Sequence, residues 1–308
     1  MRIVLIGQAA FGAQVLGALA ERGKDVVGVY TPAGTPPREP DPLRQAAGSK
    51  GIQVFQPKTY KDDHVFAQYE NLKPDLTVMA FVTPIIPARF FEVPHYGAIN
   101  YHPSLLPRHR GASAINWAVI MGDTRTGLTI FWPDGGIDTG PILLQEEIDI
   151  GTEDTTGSLY FNHLSPMGVE AILKSLALIR EGKAPRIPQN EAEATYEPPC
   201  DDRMAGIAWD KPAQEIYNLV RGCDPQPGAY VFLNGEKVRF YGAELVADPT
   251  AESSGTILHV DDRGIHVAVS RGRLIIGKAR AVHGGKVPAS DLAAERGLKP
   301  GDQLGTQS

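Results

Sequence analysis

The chain has 308 residues, 42% of them hydrophobic and 21% charged, with a formal net charge of −6; this is the balance of a well-packed protein long enough for two domains, and it excludes a disordered chain. Acidic residues outnumber basic ones 24 to 18 over residues 1–203 and match them at 12 each over 204–308, so neither part has the positive excess that gripping a phosphate backbone requires; no DNA partner is expected and tRNA is disfavoured. No apolar run approaches 18 residues and Met1 leads straight into Arg2-Ile3-Val4-Leu5-Ile6-Gly7, so the expectation is a cytoplasmic protein with no membrane span.

Ile3 to Ile6 is a short apolar run, Phe11 to Arg22 has helical spacing at Phe11, Val15, Leu16 and Leu19, and Asp25 to Tyr30 reads as a second buried strand. Gly7 and Gly12 frame the turn between the first strand and helix. Their spacing matches neither the dinucleotide fingerprint nor a P-loop, so no nucleotide is expected. After a Pro-rich loop from Pro36 to Pro42, Asp41-Pro42-Leu43 starts a short helix, and 53–55 reads as a strand. A helix from about His64 to Leu72 and a buried strand from Asp75 to Ala80 come next. Further strands are expected at Gly97 to His102, Leu128 to Trp132 and Ile142 to Glu147. Alternating helices and near-continuously apolar strands predict an α/β fold, a doubly wound and mostly parallel sheet, with ligands at the strand ends.

Thr155 to Arg180 reads as helix broken at Pro166, and Gly182 to Arg203 as a proline-rich linker, which puts a domain boundary near 203. The expected domains are therefore 1–203 and 204–308. In the second, Asp210 can cap a helix over Ala213 to Val220. Short strands follow at 229–233, 237–245, 255–260, 265–270 and 274–281, the first pair joined at an Asn234-Gly235 turn. A small β-barrel fits that pattern, with frayed residues after Gly301. Arg271, Arg273, Lys278 and Arg280 read as a solvated strand face. Cys200 and Cys223 have no metal-ligand or redox spacing and read as plain reduced residues.

The chemistry concentrates in residues 97–111, Gly-Ala-Ile-Asn-Tyr-His-Pro-Ser-Leu-Leu-Pro-Arg-His-Arg-Gly, and in Gly135-Gly136-Ile137-Asp138-Thr139-Gly140. Asn100 and His102 are two apart at the end of a strand, so their side chains share a face, and Asp138 on a later loop is available to orient the imidazole. Ser104 lacks the Gly-x-Ser-x-Gly elbow of a serine nucleophile. His102, His109 and Asp138 have no compact ligand spacing, so no metal is expected.

This motif, continuing to Trp117, resembles the folate-dependent formyltransferase family over essentially the whole chain. Tyr101 to Trp117 is similar nearly residue for residue to the N-terminal hydrolase domain of 10-formyltetrahydrofolate dehydrogenase, and methionyl-tRNA formyltransferase shares the shorter core Asn-x-His-x-Ser-Leu-Leu-Pro. The resemblance implies a formyltransferase-like Rossmann variant with an OB-like C-terminal barrel, and 10-formyltetrahydrofolate as co-substrate. His102 would move protons to and from the attacking and leaving groups, Asp138 would hold the imidazolium, and Asn100 would donate to the oxyanion. Where this chain has Asn100 the hydrolase domain usually carries an aliphatic residue and the transferases Asn. The folate contacts so implied are Phe81, Val82, Ile85 and Ile86 as walls of the pterin site, with Met79, Leu106 and Arg108, and Asp134, Gly135, Gly136, Ile137 and Gly140 on the loop; His109 reads as a loop residue or a contact to the folate's acidic tail. The expected acceptor is water or a small amine. Methionyl-tRNA is the alternative, disfavoured because residues 32–45 carry only Arg38 and Arg44 where methionyl-tRNA formyltransferases usually have a longer basic insertion.

Overall fold

The computed structural model describes residues 1–34, 40–233 and 235–305. Pro36 to Glu39 of the Pro-rich loop and Asn234 of the expected hairpin turn lie outside them. In chain order the elements begin β1 (Arg2–Gly7), α1 (Ala9–Glu21), β2 (Asp25–Tyr30), α2 (Pro42–Ser49), β3 (Val54–Phe55), α3 (Asp63–Asn71), β4 (Leu76–Ala80), α4 (Arg89–Glu92) and β5 (Ala98–His102). They continue with α5 (Ala114–Ile120), β6 (Arg125–Phe131), β7 (Ile142–Asp149), α6 (Thr156–Ser158), a π-helical turn at Leu159–Leu164, and α7 (Ser165–Arg180). The rest are α8 (Ala213–Gly222), β8 (Ala229–Leu233), β9 (Glu236–Val246), β10 (Ile257–Asp261), β11 (Gly264–Val269), β12 (Gly272–Arg280), β13 (Val287–Pro288) and α9 (Ala289–Arg296).

The first sheet has the order β3-β2-β1-β4-β5-β6-β7. Strands β3 to β5 along that path are parallel, and β6 runs antiparallel to β5, with Asn100 opposite Phe131 and His102 opposite Thr129. Ile3, Val4, Leu5 and Ile6 of β1, like Leu76 to Ala80 of β4, are buried on both faces, which is why these segments read as unbroken apolar runs. The strand order reverses beside β1, and β5 lies two places from it. At the C-terminal end of β1, Gly7 passes so close to Ala80 that a Cβ would sit 2.4 Å from its carbonyl oxygen. Only glycine fits there.

Asp41 is a joint between two helices. One carboxylate oxygen accepts from Leu43 N–H at 2.8 Å, capping α2, and the other from Ala9 N–H at 2.8 Å, at the start of α1. The helix end that a doubly wound fold offers to a dinucleotide's phosphates thus already faces a carboxylate.

The second sheet is antiparallel, ordered β10-β11-β12-β9-β8 with β13 on β12. Its inner face buries Val231, Val238, Phe240, Ile257, Ile265, Val267, Leu274 and Ile276, with Ile216 and Val220 of α8 and Leu292 of α9 in the same cluster. Residues 302–305 are tied down, where fraying after Gly301 was expected; residues 306–308 lie outside the described residues. Leu304 is 1% exposed, its N–H donates to Gly255 O, Thr256 bridges Gln303, and Phe232 bridges Gly305. Residues 303–305 therefore satisfy backbone groups at both edges of the sheet, at β8 and next to β10, which closes it.

Three other readings change. Pro212, not Asp210, is the N-cap residue of α8, and the Ala213 N–H donates to Ser270 Oγ at 3.0 Å. Helix α9, unassigned from the sequence, ends on Gly297 in the left-handed conformation, φ 65°. The break at Pro166 is the π-helical turn before α7, with the proline in the first turn where no N–H is needed. Chain contacts define two units: one comprises Met1–Gly111, Gly127–Ile148 and Asn162–Tyr196, the other Ala112–Thr126, Asp149–Phe161 and Glu197 onward. The chain thus crosses between units five times, where one cut near 203 was expected. Cys200 and Cys223, both free, lie with their Sγ atoms 3.8 Å apart. The contact lowers the Cys200 thiol from its ordinary value and, together with burial, raises that of Cys223. No helix among the described residues is long and apolar enough to cross a membrane.

Candidate active site

Strand β5 delivers Asn100 and His102 on one face, and the connection from β6 to β7 returns Asp138 to them. His102 Nδ1 is 3.4 Å from Asp138 Oδ2, and His102 Nε2 is 2.7 Å from the carbonyl oxygen of His109. Both neighbours accept hydrogen bonds, so a neutral ring can satisfy one and the imidazolium both. The residue is 5% exposed. Asp138 Oδ2, the same oxygen that faces the ring, also accepts from Gly111 N–H at 2.8 Å, which fixes the carboxylate. Asp138 holds φ at 56°, a left-handed conformation that non-glycine residues seldom take, and His109 does so at 54°. Strained backbone thus occurs on both sides of the imidazole.

Asn100 Oδ1 is buried with no hydrogen-bond partner among the described residues. A buried acceptor left unpaired costs stability, on the order of 1–3 kcal/mol, unless something else uses it. Ser104 is spent: its Oγ donates to Arg108 O at 2.7 Å. Its carbonyl accepts from Thr129 Oγ1 at 2.7 Å, and Gln145 Nε2 bonds both Thr129 Oγ1 and Leu106 O. The turn after His102 is thereby tied to β6 and β7.

The residues expected to contact folate fall into two groups. Met79 and Ile86 are buried in a core cluster with Val4, Tyr30, Tyr69 and Phe90, and Val82 packs partly against it. Leu106 is also buried. Phe81, with φ 61°, is 46% exposed, Ile85 82% and Ile137 59%, and Arg108 is exposed. Asp134, Gly135 and Gly136 are exposed and Gly140 is buried. The loop braces itself, with Gly136 N–H and Thr139 Oγ1 both donating to Asp134 Oδ1. A Cβ on Gly140 would lie 1.8 Å from Trp132 O.

What the sequence reading missed is the segment 185–196, taken as linker. Pro185 O accepts from Trp132 Nε1, Ile187 bridges Ile142, and Gln189 Nε2 donates to Asp138 O at 2.8 Å and to Gly140 O at 2.7 Å. Further on, Thr195 Oγ1 accepts from His109 N–H at 2.8 Å and Tyr196 bridges Arg110. Arg110 is 1% exposed, and it donates to Gln189 Oε1, both oxygens of Glu191, and Tyr196 Oη. The guanidinium lowers the Glu191 carboxyl below its ordinary value. Such contacts have no sequence period. Only the polar run Gln189-Asn190-Glu191 between prolines hinted at them.

Chemically, an imidazole with a carboxylate behind it can accept a proton from a nucleophile and return it to a leaving group, and the NH2 group of an asparagine on the same strand face is of the type that donates to an oxyanion. These are the parts of an acyl-type transfer. Residues 1–174 match the sequence model of the family described as formyl transferase, and residues 201–297 that described as formyl transferase, C-terminal domain. The chain is 45% identical over 255 residues to mitochondrial 10-formyltetrahydrofolate dehydrogenase of Mus musculus, covering 80% of this chain and 27% of that protein, so it spans about a quarter of that relative's length. It is 34% identical to methionyl-tRNA formyltransferase of Alkaliphilus oremlandii, covering 99% of this chain and 100% of the other. In fold it is similar to HypX from Aquifex aeolicus, solved in complex with tetrahydrofolic acid (TM-score 0.71, 19% identity, 96% of this chain and 47% of that one). It is also similar to an N-formyltransferase from Helicobacter canadensis in complex with folinic acid and dTDP-3-aminofucose (TM-score 0.68, 17% identity, 89% and 98%). The chain belongs to the formyl transferase family.

Proposed function

We propose that the protein removes the formyl group of 10-formyltetrahydrofolate and passes it to water or an amine, releasing tetrahydrofolate. The observation that carries this reading is the pairing of His102 Nδ1 with Asp138 Oδ2 at 3.4 Å, on the strand face that also carries Asn100. The nucleophile's lone pair attacks the formyl carbon while His102 Nε2, released from the His109 carbonyl, takes its proton. The carbonyl oxygen becomes an oxyanion to which the Asn100 amide donates, and Asp138 holds the imidazolium. The bond from carbon to the folate nitrogen then breaks, and that nitrogen receives the proton from His102. Water yields formate; an amine yields its N-formyl derivative.

In this reading the exposed rings and branches of Phe81, Ile85 and Ile137, with Val82, cover the flat pterin. Met79, Ile86 and Leu106 support them from the core, the loop Asp134–Gly140 offers its backbone to the pterin edge, and Arg108 meets the acidic tail. Water and small amines are favoured over tRNA because neither part of the chain has a positive excess. The second reading, formylation of methionyl-tRNA, is favoured by one observation, the end-to-end match with the Alkaliphilus enzyme.

The deciding experiment is incubation with 10-formyltetrahydrofolate while following tetrahydrofolate and formate, without acceptor, with small amines, and with initiator methionyl-tRNA. Formate released without acceptor supports hydrolysis, and turnover that requires an amine supports transfer. Turnover only with the charged tRNA, together with a gel shift at moderate salt, gives the second reading. No release in any arm rejects the proposal.

A further inference from the structure

The segment 185–196, within the first unit, bonds to the loop that carries Asp138. Gln189 has one carbonyl oxygen and one NH2 group, and both are committed. The oxygen accepts from Arg110 Nε at 3.1 Å and Nη2 at 2.7 Å, while the NH2 donates to Asp138 O at 2.8 Å and Gly140 O at 2.7 Å. Arg110 cannot accept a hydrogen bond, so it dictates which end of the Gln189 amide faces it. Glu191 and Tyr196 take the remaining guanidinium donors, with Glu191 on Nη1 at 2.9 Å and Nη2 at 2.7 Å. The guanidinium therefore has no loose end, although its side chain is buried.

Asp138 needs such support. Its left-handed φ is disfavoured for a residue with a Cβ and persists only where neighbours over-determine it. Two groups do so: Gly111 N–H on the carboxylate at 2.8 Å, and Gln189 on the backbone carbonyl. Gly111 follows Arg110 directly, so one short segment secures the side chain of Asp138 and, through Gln189, its main chain.

We infer that Gln189, oriented by Arg110, is a positioning residue that sets the distance between Asp138 and His102, and that the apparent linker is part of the active-site framework. The kinetic consequence rests on the formyl-transfer reading; the structural one does not. Displacing a catalytic group by about 1 Å can cost roughly 100-fold in rate. Gln189→Ala removes both clamps. Gln189→Glu keeps the acceptor for Arg110 but turns carboxylate oxygens towards two carbonyls.

The test measures backbone hydrogen exchange of the peptide spanning 132–143, and steady-state formyl release, in wild type, Gln189→Ala, Gln189→Glu and Arg110→Lys. Exchange in the barrel strands β8 to β12 reports whether each variant is folded. The expected result is exchange at least 10-fold faster in 132–143 in both Gln189 variants with the barrel unchanged. The expected kinetic split is a kcat fall of roughly 10- to 100-fold that exceeds any rise in KM, since binding groups outside the loop remain. Arg110→Lys, which keeps the charge but loses the fork, should show the same direction. Unchanged exchange in the Gln189 variants overturns the inference whatever the activity. Faster exchange with unchanged kcat overturns the positioning role. Absence of turnover in wild type rejects the formyl-transfer reading alone, and the exchange result still decides the clamp.

Discussion

His102 and Asp138 were legible because their chemistry is local in sequence: Asn-x-His puts two polar side chains on one strand face, and the Asp-Thr-Gly loop follows about thirty residues on. Asp138 Oδ2 stands 3.4 Å from the ring. In the formyl-transfer reading, Asp138→Asn keeps an acceptor for Gly111 N–H but removes the charge behind the imidazole. It should lower kcat by roughly 10²- to 10⁴-fold with folate binding retained, as read by turnover and fluorescence titration. Asn100→Ala should lower kcat by about 10²- to 10³-fold in the same assay while raising thermal stability slightly, because it deletes a buried oxygen that no described residue satisfies. A lower kcat with lower stability would instead mean that Asn100 is structural. What the sequence did not reveal at this scale is burial: nothing in Met79-Ala80-Phe81-Val82-Thr83-Pro84-Ile85-Ile86 tells that Met79 and Ile86 enter the core while Phe81 and Ile85 face outward.

At the scale of elements, the parallel strands were readable as unbroken apolar runs because both their faces are buried, and the barrel strands as short runs parted by turn residues such as Asn234-Gly235. Antiparallel β6 looks the same in sequence as a parallel strand would, and its direction emerges only from pairing with β5. The cap of α8 was misread because Asp210 has the right chemistry but stands two residues too early, before Pro212 with φ −52° and ψ 141°. Asp41 is the opposite case, a cap read correctly that turned out to serve two helices. Asp41→Ala should cost about 1–2 kcal/mol, more than one ordinary surface cap, and lower the melting temperature by several degrees in a thermal scan. A change of less than a degree would show that the bond to Ala9 contributes little.

At the scale of the molecule, two segments that read as filler, 185–196 and 303–305, hold structure together by backbone and amide contacts that leave no hydrophobic period. Leu304 buries its side chain in the barrel core, so Leu304→Ala should destabilise by about 2–5 kcal/mol. A denaturant titration reads this directly, and a midpoint equal to wild type would show the tail to be dispensable. The barrel also carries a pH response. Burial lowers the His266 imidazole from its ordinary value, against the opposing bond to Asp261 at 2.9 Å. The unfolded chain therefore binds a proton that the folded one resists, and stability is lost as pH falls through about 6.5, the unfolded histidine value. Asp261, lowered chiefly by its bond to His266, adds stability that is lost only at more acid pH, through its folded carboxyl value. The melting temperature should fall between pH 8 and pH 5.5, and His266→Asn should flatten that fall; equal slopes would remove His266 as the cause.

The central claim is that an imidazole backed by a carboxylate detaches a one-carbon unit from folate, and single-turnover formyl release measured beside folate binding in wild type and His102→Ala tests it most directly. The account predicts folate affinity within a few-fold in the two proteins and release slower by roughly 10²- to 10⁴-fold in the variant. Equal release rates, or a wild-type protein that binds no folate, would contradict it.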